Sequence, residues 1–188
     1  MEKKKMSPDT WKNSISQWLE PWTARRASLS RIAILGIGNS LRSDDAAGVL
    51  VARELGKSRL IQDLDFLRVW EAGHAPENCI ADLRRFAPEI VLLVDAAQLD
   101  EAPGTIHWIN MEDLDGLSAS THSMPLSMLA KYLTLEFGCQ VKLLGIQPRS
   151  NEVGETVSCE VLQAVEVIVD GLTNILQHLM VQSPNRLN

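Results

Sequence analysis

The sequence lacks several features that would assign it to a common functional class. No run of about 18 apolar residues is present, the length needed to cross a bilayer, and the positively charged start is not followed by the apolar segment of a signal peptide. The three cysteines lie far apart and form no CxxC pair, which argues against a disulfide framework or a zinc knuckle. The net charge is −6 without a basic stripe, so nucleic acid is a poor candidate partner. We therefore expect a cytoplasmic protein.

Motifs of common hydrolases and nucleotide-binding proteins are also missing. There is no GxSxG nucleophile elbow, no HExxH zinc motif and no GxxxxGK(S/T) phosphate loop. The stretch GIGNSLRSDDAAG (36–48) begins like a dinucleotide-binding loop, but Leu41 occupies the position of the third glycine. Asp44 and Asp45 would also put two negative charges where such a loop holds phosphate. A nucleotide-binding α/β domain is therefore the weaker alternative.

Apolar strands and amphipathic helices alternate from residue 31 onward. Apolar runs predict five strands, at 31–37, 65–71, 89–96, 104–110 and 140–147. The strand at 104–110 follows a short Pro-Gly turn, which suggests an antiparallel edge. Helical periodicity predicts helices at 46–56 (closed by Gly56), 76–88, 124–138 and about 161–179. The alternation predicts a single three-layer α/β domain over residues 31–180, with a mainly parallel twisted sheet and helices on both faces.

Two segments flank the predicted domain. Residues 1–30 are predicted to form an N-terminal helical extension whose helix stops at Pro21. Its tryptophan stripe, which includes Trp11 and Trp18, is expected to pack on the domain, and docking of a partner is the alternative. Residues 181–188 are predicted to be a flexible C-terminal tail.

Possible metal ligands cluster at the predicted strand ends and in one loop. In such sheets, ligands bind beyond the carboxyl ends of the strands. Asp44 and Asp45 follow the first strand, Asp95 ends a buried run, and His122 precedes a helix, in competition with His74 at another strand end. Each residue has an ordinary alternative, since an aspartate can cap a helix and a loop histidine can be a surface residue. Together, two carboxylates and one imidazole suit a divalent ion such as zinc or nickel.

The combination of motifs resembles a known family. GIGNSLRSDDAAG, EAGHAPEN, LLVDAAQ, STHSMPL and LLGIQP, in this order, are similar to the hydrogenase maturation endopeptidases, which process the large subunit of [NiFe] hydrogenases. APEN and THSMPL resemble the branch that serves formate-linked, hydrogen-evolving hydrogenases. The resemblance spans roughly residues 31–171 and implies that Asp45, Asp95 and His122 are the catalytic and metal-binding residues. Ala46 departs from the glycine that often follows the acidic pair in the family.

The resemblance also implies an activity. The enzyme would recognise a nickel-loaded precursor of the large subunit through Asp45, Asp95 and His122, and would remove a short C-terminal peptide. Nickel would arrive with the precursor, while zinc or cadmium are expected to fit the site in vitro. We expect metal-assisted hydrolysis, with aspartic-type catalysis as the alternative.

Other aspects of function stay open at this point. A non-catalytic nickel chaperone with the same three ligands is the alternative function, and we expect a monomer that does not insert into a membrane. Three further residues near strand ends are open candidates for binding the precursor: Glu71, Glu77 and Gln147.

Overall fold

The computed structural model describes residues 10–24, 30–110, 113 and 124–181. Among them the elements are α1 (Thr10–Ala24), β1 (Ile32–Ile37), α2 (Ala47–Lys57), α3 (Arg59–Gln62), β2 (Leu67–Gly73), α4 (Ile80–Phe86), β3 (Ile90–Ala96), β4 (Ile106–Ile109), α5 (Leu126–Phe137), β5 (Gln140–Ile146) and α6 (Cys159–Val181). Two short 3-10 turns precede α2 and α4, at Ser43–Ala46 and Pro76–Cys79. All five predicted strands are present, each shifted by at most two residues at either end.

The strands form one sheet in the order β2-β1-β3-β5-β4. The pairs of β1 with β2, β1 with β3 and β3 with β5 are parallel, whereas β4 pairs antiparallel with β5 at the edge, as predicted. The chain moves from β1 outward to β2 and then returns to place β3 on the other side of β1. The carboxyl ends of β1 and β3 therefore flank a topological switch point, the usual position of a ligand site in such sheets.

Helices cover both faces of the sheet. One apolar cluster packs α1, α2 and α6 against one face, and a second packs α4 and α5 against the other. β3 contributes Leu92 and Val94 to the first cluster and Val91 and Leu93 to the second, so it is buried on both sides. This arrangement explains the unbroken apolar run of β3 and confirms the predicted three-layer α/β fold.

The tryptophan stripe of α1 packs on the domain. Trp11 is 1% exposed, and its ring lies so close to Gly171 of α6 that a Cβ added there would be 2.5 Å from a ring carbon. Trp18 contacts Trp108 of β4 edge to face at 5.2 Å between ring centroids and donates a hydrogen bond from Nε1 to Gln140 Oε1 at 2.7 Å. α1 thus shares the core of the α/β domain.

The predicted ends of two helices were wrong. α1 continues through Pro21 to Ala24, because the exposed proline removes one hydrogen bond on the solvent side while burial of the opposite face holds the helix. α2 continues through Gly56 and ends at Lys57. The next residue, Ser58, has an extended backbone conformation with a ψ of 116°. A glycine ends a helix only where the backbone turns left-handed, and Gly56 does not have a positive φ.

The flanking segments are described only in part. Of the predicted extension over residues 1–30, residues 1–9 and 25–29 lie outside the described residues, and so does the predicted C-terminal tail from residue 182 onward. Within the described part of the chain, no helix combines the length and apolar character needed to cross a bilayer.

Candidate functional site

The loop after β1 folds back tightly on itself. Gly38 has a φ of +132°, and a Cβ added there would lie 1.7 Å from the carbonyl oxygen of Asp45, so only glycine fits. The backbone N–H of Asn39 donates to the Asp45 carbonyl at 3.2 Å and to Asp45 Oδ2 at 3.0 Å. These contacts orient the carboxylate of Asp45, which is only 3% exposed, at the carboxyl end of β1.

Close packing of α2 brings this loop to the end of β3. A Cβ added to Gly48 would lie 2.0 Å from the carbonyl oxygen of Val94 and 2.4 Å from that of Ile37. Gly36 in turn lets α2 approach β1, because a Cβ there would lie 2.1 Å from the Gly48 carbonyl oxygen. The start of α2 therefore sits on the ends of both central strands, directly before Asp95.

Asp95 lies at the end of β3 and is 1% exposed. It alternates with Val91 and Leu93, which belong to the cluster under α4 and α5, so its side chain is on the face that α5 covers. The third predicted ligand, His122, lies outside the described residues, in the segment that leads into α5. Across residues 10–24, 30–110 and 124–181, no three His, Cys, Asp or Glu side chains form a group that could hold a metal. The three-residue ligand set stays a prediction.

Asp44 is held by a different part of the chain. It is fully buried, and its carboxylate accepts hydrogen bonds from the backbone N–H of Arg149 at 2.7 Å, Ser150 at 3.3 Å and Ser158 at 2.7 Å, and from the Ser158 hydroxyl at 2.9 Å. These four donors compensate the burial of its charge. The idea that this aspartate caps the following helix is wrong, because it ties the β5–α6 loop to the β1 loop.

Comparison with known proteins decides the family. The family model described as hydrogenase maturation protease matches residues 49–177, more than half of the chain. The chain belongs to the hydrogenase maturation protease family. This confirms the resemblance seen in the motifs.

Individual maturation proteases support the same assignment. The hydrogenase 3 maturation protease of Escherichia coli K12 is 36% identical over 116 residues, which are 61% of this chain and 71% of that protein. The crystal structure of a [NiFe] hydrogenase maturation protease HycI from Thermococcus kodakarensis superposes with a TM-score of 0.73 at 30% identity, covering 85% of this chain and 99% of the other. The solution structure of an endopeptidase HycI from Escherichia coli superposes with a TM-score of 0.66 at 32% identity, covering 74% and 87%.

In this maturation protease, Gln147 forms hydrogen bonds with the segment that connects β3 to β4. It is 4% exposed; its Oε1 accepts from Leu99 N–H at 2.7 Å and its Nε2 donates to the Pro148 carbonyl at 2.9 Å. Its backbone N–H donates to Thr105 O and its carbonyl accepts from Gly104 N–H, both at 2.8 Å. Gln147 thus holds the chain that follows Asp95, a role without a sequence signal because its partners are mostly backbone groups.

Other strand-end candidates lie nearer the surface. Glu71 of β2 is exposed and its Oε2 accepts from Arg53 Nη2 at 2.8 Å, and this hydrogen bond raises the pKa of Arg53. His74 is exposed after β2, so the competing histidine sits on the β2 side of β1, whereas β3 and Asp95 lie on the other side.

The protease has no disulfide, since all three cysteines are free. Burial raises the pKa of Cys139 to about 11, and that of Cys79 is raised by burial and by Asp82. Both thiols therefore stay protonated near neutral pH, which makes them poor nucleophiles.

Proposed function

We propose that the protein is an endopeptidase that removes a short C-terminal peptide from the nickel-loaded precursor of a [NiFe] hydrogenase large subunit. The observation that carries this proposal is the position of two buried carboxylates, Asp45 and Asp95, at the switch point of a maturation protease fold. Asp45 lies in the 3-10 turn after β1 and Asp95 near the end of β3, so the two residues are brought to the same edge only by the folding of the chain. Their place at the carboxyl edge is where this type of sheet binds ligands.

The proposed recognition acts through the nickel that the precursor carries. Asp45, Asp95 and His122 would supply two oxygen donors and one nitrogen donor, which suit a borderline divalent ion. The hydrogen bond from Asn39 N–H to Asp45 Oδ2 holds one carboxylate in a fixed orientation, as a metal ligand requires. An ion of similar chemistry, such as zinc or cadmium, is expected to occupy the same ligands in vitro.

We favour metal-assisted hydrolysis over aspartic-type catalysis. A bound ion can polarise the scissile carbonyl or lower the pKa of a bound water molecule to about 7. In the aspartic alternative, Asp45 or Asp95 acts as general base toward water. An aspartic dyad shares one proton between two carboxylates and has no use for an imidazole beside them. Cleavage at an unchanged rate after rigorous removal of nickel would support the aspartic alternative.

The proposal also covers the oligomeric state, the cellular compartment and the alternative function. We propose that the enzyme acts as a monomer in the cytoplasm, where its free thiols stay reduced. The alternative, a nickel chaperone without catalysis, would use the same ligands for delivery and leave the precursor intact.

Incubation with a nickel-loaded precursor tests the function directly. Intact-mass analysis should show a shortened large subunit with wild-type protein, and the unshortened mass with Asp45→Asn, Asp95→Asn or His122→Ala. Glu136→Gln is the control, because it changes an exposed carboxylate in the last turn of α5 that is already paired with Arg84. Full activity of Asp95→Asn would refute the site, equal cleavage of nickel-free precursor would refute nickel recognition, and an intact precursor that binds wild-type protein would favour the chaperone.

A further inference from the structure

Two large apolar side chains are exposed on neighbouring loops near the candidate site. Leu41 in the loop after β1 is 74% exposed and Val153 in the β5–α6 loop is 69% exposed. Their loops touch, because the backbone N–H of Gly154 donates to the carbonyl of Leu41 at 3.0 Å. Single apolar residues on a surface are ordinary, but a pair displayed from two different loops at one edge is a candidate contact surface.

The two loops that display this pair are firmly joined. Asp44 N–H donates to Ser150 O at 3.1 Å, and the Ser43 hydroxyl donates to Thr156 O at 3.0 Å. The carboxylate of Asp44 adds the four hydrogen bonds described above. The two loops that expose Leu41 and Val153 are therefore joined by hydrogen bonds into one platform. A partner that binds to this platform loses little entropy in ordering the backbone.

A short hydrogen-bonded path connects the platform to the candidate site. Leu41 N–H donates to Asn39 Oδ1 at 3.0 Å, and Asn39 N–H donates to Asp45 Oδ2 at 3.0 Å. Leu41 is thus two hydrogen bonds away from a proposed ligand of the substrate's nickel. A protein substrate whose nickel reaches Asp45 would therefore lie near this loop.

Arg42 adds an uncompensated positive charge to the same loop. None of the ion pairs among the described residues involves it, and its Nε is buried without a hydrogen-bond partner in that part of the chain. A buried donor left without a partner is costly, so a native structure that retains one calls for an explanation. Because this Nε is shielded from solvent, a carboxylate on a docked partner would have to neutralise the guanidinium through its terminal nitrogens.

We propose that Leu41, Arg42 and Val153 form a docking surface for the hydrogenase precursor, and that they contact an apolar segment of the precursor that bears an acidic side chain. This inference rests on the proposed function, since it takes the occupant to be the protease's own substrate. One feature selects that occupant: Leu41 and Arg42 belong to the loop that also carries Asp45, the proposed ligand of the precursor's nickel.

Binding and cleavage by exposed-residue variants test the docking surface. The double variant Leu41→Ser/Val153→Ser should raise KM for the nickel-loaded precursor roughly tenfold and leave kcat nearly unchanged, as for loss of apolar contacts at an interface. Arg42→Met should weaken binding and flatten its dependence on salt concentration. The matched control is Leu135→Ser, which removes an 86% exposed leucine beside Gln140, at the opposite edge of the sheet.

The outcomes separate this inference from the proposed function. Wild-type protein that binds the precursor through this surface without cutting it would refute the function and support the docking surface. Unaltered binding and KM in the double variant, with normal cleavage by wild type, would refute the docking surface alone. Absence of both binding and cleavage by wild type would refute both. If sedimentation shows a wild-type dimer that the double variant dissociates, the occupant is a second copy and the proposal is wrong.

Discussion

Replacement of Gly48 by alanine should destabilise the protein, although the same change usually favours a helix. Gly48 lies in the first turn of α2, where alanine would ordinarily gain up to about 1 kcal/mol from helix propensity. Here the new Cβ would lie 2.0 Å from the Val94 carbonyl oxygen and 2.4 Å from that of Ile37. Both obstacles are strand backbone, which cannot rotate out of the way.

The size of the effect follows from the overlap. Non-bonded heavy atoms in contact lie about 3.5 Å or more apart, so α2 must move outward by roughly 1 Å or more. Overpacking of this kind typically costs about 1–3 kcal/mol, which exceeds the propensity gain, and we expect a net loss of about 2 kcal/mol. The displaced helix carries Asp45 with it, and a misplacement of about 1 Å can lower a catalytic rate by ~100-fold.

Urea unfolding followed by circular dichroism measures the change in the free energy of unfolding. Gly56→Ala is the control within the same helix, because a Cβ there would meet no atom within 4 Å; it should be neutral or stabilising by up to about 1 kcal/mol. If Gly48→Ala is as stable as wild type, or gains stability as Gly56→Ala does, then α2 does not pack as closely on the two strands as the structure indicates.

Two further predictions concern buried polar groups. Burial raises the pKa of Cys139 from 9.0 to about 11. The thiol therefore ionises more readily in the unfolded chain, so the stability that the buried neutral thiol contributes is complete below about pH 9 and is lost as the pH rises toward 11. Wild type should therefore lose up to about 2 kcal/mol more than Cys139→Ala across that window, and parallel losses in both proteins would contradict this. Gln147→Glu would place a carboxylate oxygen against the Pro148 carbonyl, where Nε2 now donates at 2.9 Å, and should cost about 1–3 kcal/mol in urea unfolding at pH 8. The deficit should shrink at low pH, because burial raises the pKa of the new carboxyl and a protonated Glu can donate again; wild-type stability at pH 8 would disprove the assigned contact.

The architecture could be predicted because it depends on local patterns. An apolar run such as β3 is long enough for a strand and too uniformly apolar for an exposed face, so it indicates a strand covered on both sides. Alternation of such runs with amphipathic helices leaves few topologies other than a parallel sheet between helical layers. The ends of α1 and α2 could not be predicted from Pro21 and Gly56, since helix ends are decided by which side is buried and by the backbone conformation that follows.

The candidate site divides in the same way. The sequence alone indicated Asp95 and the adjacent pair Asp44 and Asp45 as acidic residues at strand ends, because the carboxyl ends of neighbouring parallel strands meet at one edge. The choice of Asp45 as the ligand came from the family resemblance and stays a prediction. The distinct part played by Asp44 could not be predicted, because its partners Arg149 and Ser158 are 105 and 114 residues away along the chain. His122 lies outside the described residues, so its part in the site stays a prediction.

By itself, the sequence determined the fold class, the positions of the strands and the acidic residues at two strand ends, since the periodicity of apolar residues is a local property of the chain. Only the tertiary structure decided that Asp44 is a structural anchor, that Gly36 and Gly48 admit α2 onto the sheet, and that Leu41 and Val153 are displayed together. These features are contacts between segments far apart in the chain. Such contacts depend on distances that arise only when the whole core is packed.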